Sequence, residues 1–224
     1  MPYRSSDCLA MTLFHFALPA LIAGLTCMAA AADERPPAQR YQECLSEVEK
    51  FPKDAFEDAI QWGREGGGGP AEHCAASALM ALGLYADAAK RLEALAQSEK
   101  KGPRLKAGIL AQAGQAWLLA NDVIRAEAVA TTALHLMPKA PALLIDRARA
   151  RAEQGDYAGA KADLDIALMG APGHPDALAF RAAASRFLDE TAAARADTDA
   201  ALVRDPSHPE ALLERGILKR LTGD

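Results

Sequence analysis

Aromatic rings, cysteines and basic surplus are all scarce in this sequence. Aromatics make up 5% of its 224 residues. Alanine and leucine must therefore fill the core, and Ala, the best helix former, lets helix backbones approach closely. Lys and Arg number 25 against 30 Asp and Glu, a net charge of -5. Phosphate binding needs a basic surplus, so the balance argues against nucleic acid as a partner. Catalytic signatures are missing too. The five histidines form no His-Glu-x-x-His motif and share no metal spacing with the cysteines, and no Gly-x-Ser-x-Gly elbow occurs. Gly66, Gly67, Gly68 and Gly69 lead into Pro70 without a preceding strand or a following Lys-Ser/Thr pair. A phosphate-cradling loop is therefore rejected, and the tract reads as a flexible connector. The carboxylates read as solvated helix faces. No enzyme activity, cofactor or metal is expected.

One long apolar run is present, from residue 9 to about 28, after the single basic Arg4 and before Ala29–Ala32. A positive start, an apolar stretch and small residues describe a secretory signal peptide at 1–32, cleaved after Ala32. The run is near the lower limit for spanning a bilayer, so an uncleaved anchor is the alternative. Membrane contact is expected only in that case. Cys27 raises a third option, a lipoprotein cysteine, which Leu25 and Thr26 fit poorly. Cleavage removes Cys8 and Cys27 and leaves Cys44 and Cys74. An even pair in an exported chain reads as a disulfide, with two buried thiols as the alternative. The bridge would close a loop of about 30 residues and contribute about 3 kcal/mol. The expected location is exported and periplasmic.

The remaining sequence repeats. Pro138, Pro172 and Pro206 stand 34 apart, as do Ala133, Ala167 and Ala201, then Leu134, Leu168 and Leu202, then Ala126, Ala160 and Ala194. A fixed period of this length means stacked copies of one small unit. Tyr157, Ala160, Leu164, Ala167 and Leu168 fall on one helical face. Helices are expected from about 39 to Pro52 and over 53–64, 71–82, 85–97, 104–119 and 123–136, then in pairs within 141–174 and 175–208, with a last one over 210–221.

The 34-residue unit resembles the tetratricopeptide repeat. The matching letters are Leu144, Ala148, Gly155, Tyr157, Ala160, Leu164, Ala167 and Pro172, and in the preceding unit Leu110, Gly114, Trp117, Ala126, Ala133 and Pro138. The resemblance implies an all-α, right-handed α-solenoid of helix–turn–helix repeats with a concave groove that binds a peptide or protein. The expected divisions are a flexible leader at 33–38, a degenerate helix pair at 39–68, a repeat-like unit at 69–106, repeats at 107–140, 141–174 and 175–208, and a capping helix at 209–224. The outer side of that cap is expected to carry Glu214, Lys219 and Arg220, and an open last helix offers a route to self-association. His174 and His208, also 34 apart, are expected as equivalent loop residues facing solvent.

Arg147, Arg181 and Arg215 depart from the repeat pattern by standing where leucine is usual. Asp163 and Asp197 follow the first two by 16 residues, whereas the unit at 107–140 has Ala113 and Val129 at these places. Joint presence and joint absence predict structural ion pairs, Arg147 with Asp163 and Arg181 with Asp197, linking the two helices of each repeat. The resemblance places Gln112, Gln115, Arg149, Arg186 and Arg220 in the groove. Three arginines there predict a locally basic surface that favours an acidic segment or a C-terminal carboxylate, with an ordinary solvated face as the alternative. The Lys and Asn set of the family's carboxylate clamp is absent, so chaperone-tail binding is not expected. The functional expectation is a non-enzymatic interaction scaffold of the bacterial periplasm or envelope. The alternative is a membrane-tethered assembly factor or a regulator of peptidoglycan enzymes.

Overall fold

A computed structural model of the chain describes residues 35–223. The expected signal peptide, its cleavage point after Ala32, and Cys8 and Cys27 lie outside these residues. So do the start of the leader and Asp224.

Eleven α-helices and no strand occur among the described residues. They are α1 (Pro37–Val48), α2 (Pro52–Trp62), α3 (Gly68–Ala81), α4 (Tyr85–Ser98), α5 (Pro103–Leu119), α6 (Val123–Leu136), α7 (Pro141–Glu153), α8 (Tyr157–Gly170), α9 (Pro175–Phe187), α10 (Thr191–Arg204) and α11 (Pro209–Thr222). Each packs on the next, and α1 with α3, α5 with α7, α7 with α9 and α9 with α11 also touch. The odd-numbered helices thus form an inner row and the even-numbered ones an outer row.

Local chemistry explains the punctuation. Pro103, Pro141, Pro175 and Pro209 open α5, α7, α9 and α11. Their fixed φ suits a first turn whose missing N–H is no loss. Asp122 and Asp156 cap α6 and α8, accepting from the backbone N–H groups of Arg125 at 3.1 Å and Gly159 at 2.9 Å. Asn121, Gly155 and Asp189, each 34 from the next, hold the left-handed turn inside three hairpins, with φ of 59°, 83° and 62°. The repeated columns Ala126/Ala160/Ala194, Ala133/Ala167/Ala201 and Leu134/Leu168/Leu202 are all buried. Alanine at the helix contacts permits the close approach, and the leucines fill the space between successive hairpins.

The chain differs from expectation at its first third. α1 begins at Pro37, inside the expected leader, and Pro52 opens α2 as its first residue. The glycine tract is no open connector. Gly63–Gly67 forms a π-helical turn that runs into α3, kinked at Gly66 with φ 97°. Its cause is close packing: a Cβ at Gly67 would lie 2.6 Å from the indole of Trp62, which is buried against the kink. Glycine here lets the backbone fold over a large ring.

Cys44 and Cys74 form a disulfide with Cα atoms 6.3 Å apart, tying α1 to α3. Among the described residues, no helix is long and apolar enough to cross a membrane.

Candidate functional site

Two features dominate the inner row, a set of charged ties and a pair of adjoining cavities. The ties begin with Arg147 on α7, whose Nε and Nη2 donate to Asp163 on α8 at 2.8 and 2.6 Å. Arg181 on α9 repeats this geometry on Asp197 of α10, both bonds at 2.7 Å. Both aspartates are buried. Bidentate geometry and burial make these strong contacts, and they hold both guanidiniums above the ordinary arginine pKa, chiefly through the aspartate hydrogen bonds. In the preceding hairpin, Ala113 and Val129 fill the equivalent places and are buried in the apolar core.

The ties extend further than the expected pairs. Arg181 Nη1 also donates to Asp165 at 2.7 Å, reaching back to the preceding hairpin. Arg151 joins Asp163 at 3.0 Å and Glu127 of α6 at 2.9 Å. The arginines therefore clamp hairpin to hairpin as well as helix to helix. Arg215, third in the row, is exposed and lines a shallow hollow beside Asp199 and Lys219.

Of the five expected groove residues, Gln115 and Arg149 come together. They are shared by two cavities along α5, α7 and α9. One, of about 310 Å³, is bounded by Leu118, Leu119 and Val123 and by the polar Asn121 and Glu153. The other, of about 260 Å³, is bounded by Asp146, His174, Asp176, Phe180 and Glu210. The Arg149 guanidinium lies over the Phe180 ring, 5.3 Å from its centroid.

The other three residues fall elsewhere. Gln112 Oε1 accepts from His73 Nε2 at 2.8 Å, and His73 Nδ1 meets the Tyr41 hydroxyl at 2.8 Å. This chain of contacts joins α1, α3 and α5, and burial raises the Tyr41 pKa. Arg186 is not free for a ligand. Its Nε donates to Glu214 at 2.6 Å and its guanidinium covers Phe187 at 4.2 Å. Glu214 is correspondingly buried and does not belong to the outer side of the cap. Its side chain points at the α9 arginine because an unpaired buried cation and anion would each be destabilising. Arg220 is exposed and lines neither cavity.

The polar cavity is therefore not the basic surface expected. It draws carboxylates from α7, α9 and α11, namely Asp146, Asp176 and Glu210. Asp146 is 8% exposed, and its Oδ2 has no hydrogen-bond partner among the described residues. Burial pushes its carboxyl up to about 6. The Arg149 charge and a Gln115 hydrogen bond pull the other way, and Asp176 adds repulsion. His174 Nδ1 is also buried and without a partner. Its counterpart His208 is buried, not a solvent-facing loop residue. Its Nδ1 accepts from the Ala211 N–H at 3.3 Å and its Nε2 meets Asp176 Oδ1 at 2.8 Å. The connecting loop folds the ring onto the start of α11, where it caps the helix.

A larger cavity, of about 400 Å³, lies among α4, α5 and α6. Two of its polar groups meet Trp117: the indole Nε1 donates to Glu93 at 2.5 Å, and the Arg125 guanidinium lies over the ring, 4.6 Å from its centroid. Among the described residues, no group of three or more His, Cys, Asp or Glu could hold a metal ion.

The chain matches no protein-family model and no curated protein. It does match solved structures. YrrB, a tetratricopeptide-repeat protein with an unusual peptide-binding site, aligns with a TM-score of 0.63 at 15% identity over 81% of this chain and 92% of its own. A fragment of MamA from Desulfovibrio magneticus RS-1, running from residue 41 to its end, gives 0.58 at 20% identity, covering 66% and 82%. The second tetratricopeptide-repeat domain of human RPAP3, solved with the HSP70 peptide SGPTIEEVD, gives 0.50 at 24% identity, covering 53% and 98%. At these identities the likeness is one of fold, and with the stacked hairpins it shows the described chain to be a right-handed, all-α solenoid of the tetratricopeptide-repeat type.

Proposed function

We propose that this protein is a non-enzymatic interaction scaffold whose inner helices hold an extended segment of a peptide or protein. The observation that carries the reading is the pair of cavities meeting at Gln115 and Arg149. One sets Leu118, Leu119 and Val123 beside Asn121 and Glu153, and the other holds a buried Asp146 oxygen and a buried His174 nitrogen that have no partner among the described residues. A segment lying along the groove would place one apolar and one polar side chain in them, the usual division between affinity and specificity. Solved structures of the same fold support this: RPAP3 was captured with a peptide, and YrrB is described by its peptide-binding site. The HSP70 peptide ends in acidic residues. The carboxylates around the polar cavity here disfavour such a ligand.

The same reading places the protein in the bacterial periplasm. The apolar run at 9–28 with its alanine tract supports export, and the Cys44–Cys74 bridge fits an oxidising compartment. A membrane-tethered envelope factor, or a regulator of peptidoglycan enzymes, is the second reading, supported by that run if it stays uncleaved. Mass spectrometry of the native N-terminus separates the two, since cleavage leaves a free amine at Asp33.

Photo-crosslinking in the native cell tests the scaffold. A crosslinker replacing Gln115 should capture a partner that one replacing Thr132, exposed on the outer row, does not. Equal recovery from both places overturns the groove assignment.

A further inference from the structure

Resting on that scaffold reading, we propose that the polar cavity framed by Asp146, Asp176 and Glu210 takes a lysine or arginine side chain of the bound segment. Three successive inner helices each contribute one carboxylate to a space of about 260 Å³. A space of that size suits one long side chain. Among the described residues that line the cavity, the arginine is Arg149, which is exposed and stacked on Phe180. His208 lies at the rim of this space: its Nδ1 accepts from the Ala211 N–H at 3.3 Å and lies 3.5 Å from Glu210 Oε2, and its Nε2 meets Asp176 Oδ1 at 2.8 Å. The last contact orients the Asp176 carboxylate.

Asp146 supplies the second, independent observation. It is more than nine-tenths buried, and its Oδ2 has no donor among the described residues. A buried acceptor left unmet is destabilising, and an ionised one more so. The raised pKa of this carboxyl has the same cause, burial ahead of every other influence. An ammonium or guanidinium group carries only donors, three or five of them, and would satisfy Asp146 Oδ2 while its charge balances Asp176 and Glu210. A carboxylate ligand would meet three like charges instead. A neutral apolar side chain would leave Asp146 unmet and dry.

Selection of a random nonapeptide library on the full chain tests this. The expected pool is enriched in lysine or arginine. Its peptides should bind about tenfold more weakly to Asp146→Asn, as expected for one lost charge-assisted contact. Glu210→Gln, at a half-exposed rim side chain, should weaken them in the same direction without any question of folding. A pool enriched without basic residues leaves the scaffold standing and overturns this inference. So does a basic pool that binds both variants unchanged. A library that yields no enrichment at all overturns the scaffold reading itself.

Discussion

Asp163 on α8 accepts from both Nε and Nη2 of Arg147 on α7, across a sequence separation of 16, while a third bond reaches it from Arg151 Nη1 at 3.0 Å. Among the described residues, Asp197, its counterpart one repeat later, is held by Arg181 alone. The same pair therefore has reserve support in one hairpin and none in the next.

That asymmetry fixes the outcome of two double-mutant cycles. Arg181→Ala strands Asp197 in a buried site and should destabilise the fold by about 3 kcal/mol, the usual loss when one partner of a buried pair is removed. Arg147→Ala leaves Asp163 with Arg151 and should cost about half as much. Combining Arg181→Ala with Asp197→Val copies the Ala113 and Val129 arrangement of the preceding hairpin and should recover most of the loss. Urea unfolding of the singles and doubles measures the coupling. A zero coupling energy at Arg181–Asp197 would falsify the structural role of the arginine row.

Asp146 makes the fold less stable at neutral pH than it could be. Its folded pKa is raised to about 6, above the ordinary aspartate value. The folded state thus holds a proton that the unfolded chain has lost between about pH 4 and pH 6. Stability must fall as pH rises through that window, and the deficit persists above it. Asp146→Asn removes the titration, keeps the shape, and should raise stability at pH 8 by about 2 kcal/mol. The gain should shrink toward pH 4. Gln115 from α5, Arg149 from α7, His174 just before α9, Asp176 from α9 and Glu210 from α11 share the cavity, so their variants should move the midpoint. Thermal unfolding across pH 4–8 checks both the sign and the window.

The contrast between Arg147 and Asp146 shows which features were readable from the sequence. Repeats place equivalent residues in equivalent surroundings, so the columns of Ala133, Leu134 and Pro138 reappear at 34-residue intervals and declare the fold. The ion pairs were readable because two residues vary together between units. Asp146 belongs to a row that reads Gln112, Asp146, Phe180, Glu214, with no letter in common. Each of these side chains meets a different neighbour, respectively His73, the polar cavity, Arg149 and Arg186. A row whose members meet unlike partners leaves no shared letter for the period to mark. Arg186 and Glu214 were misassigned for a related reason: they pair across two inner helices, 28 residues apart, a distance the period does not mark. The glycine tract escaped because the ring it accommodates, Trp62, shares no periodic position with it.

The Cys44–Cys74 bridge should act locally. In a solenoid each hairpin contacts only its neighbours, so a crosslink between α1 and α3 supports that end of the stack. Reduction, or Cys44→Ala with Cys74→Ala, should cost about 3 kcal/mol for the first helices through the freed loop. Hydrogen exchange should accelerate across α1 and α2 while α7–α10 keep their protection. Uniform acceleration along the chain would show that the stack unfolds as one cooperative unit instead.

Asp189 holds the turn between α9 and α10 at φ 62°, in the place where the preceding hairpin uses Gly155 at φ 83°. A left-handed backbone costs a residue with a Cβ about 1 kcal/mol, and aspartate tolerates it better than most. Glycine removes that strain but gives the unfolded chain more freedom, which returns part of the gain. Asp189→Gly should therefore stabilise the fold by about 0.5 kcal/mol, whereas Gly155→Val, forcing a branched side chain into the same conformation, should destabilise it by roughly 2 kcal/mol. The two substitutions test one backbone geometry from opposite sides. Urea midpoints moving in opposite directions support it, and a stabilising Gly155→Val would mean the hairpin turn is not left-handed in solution.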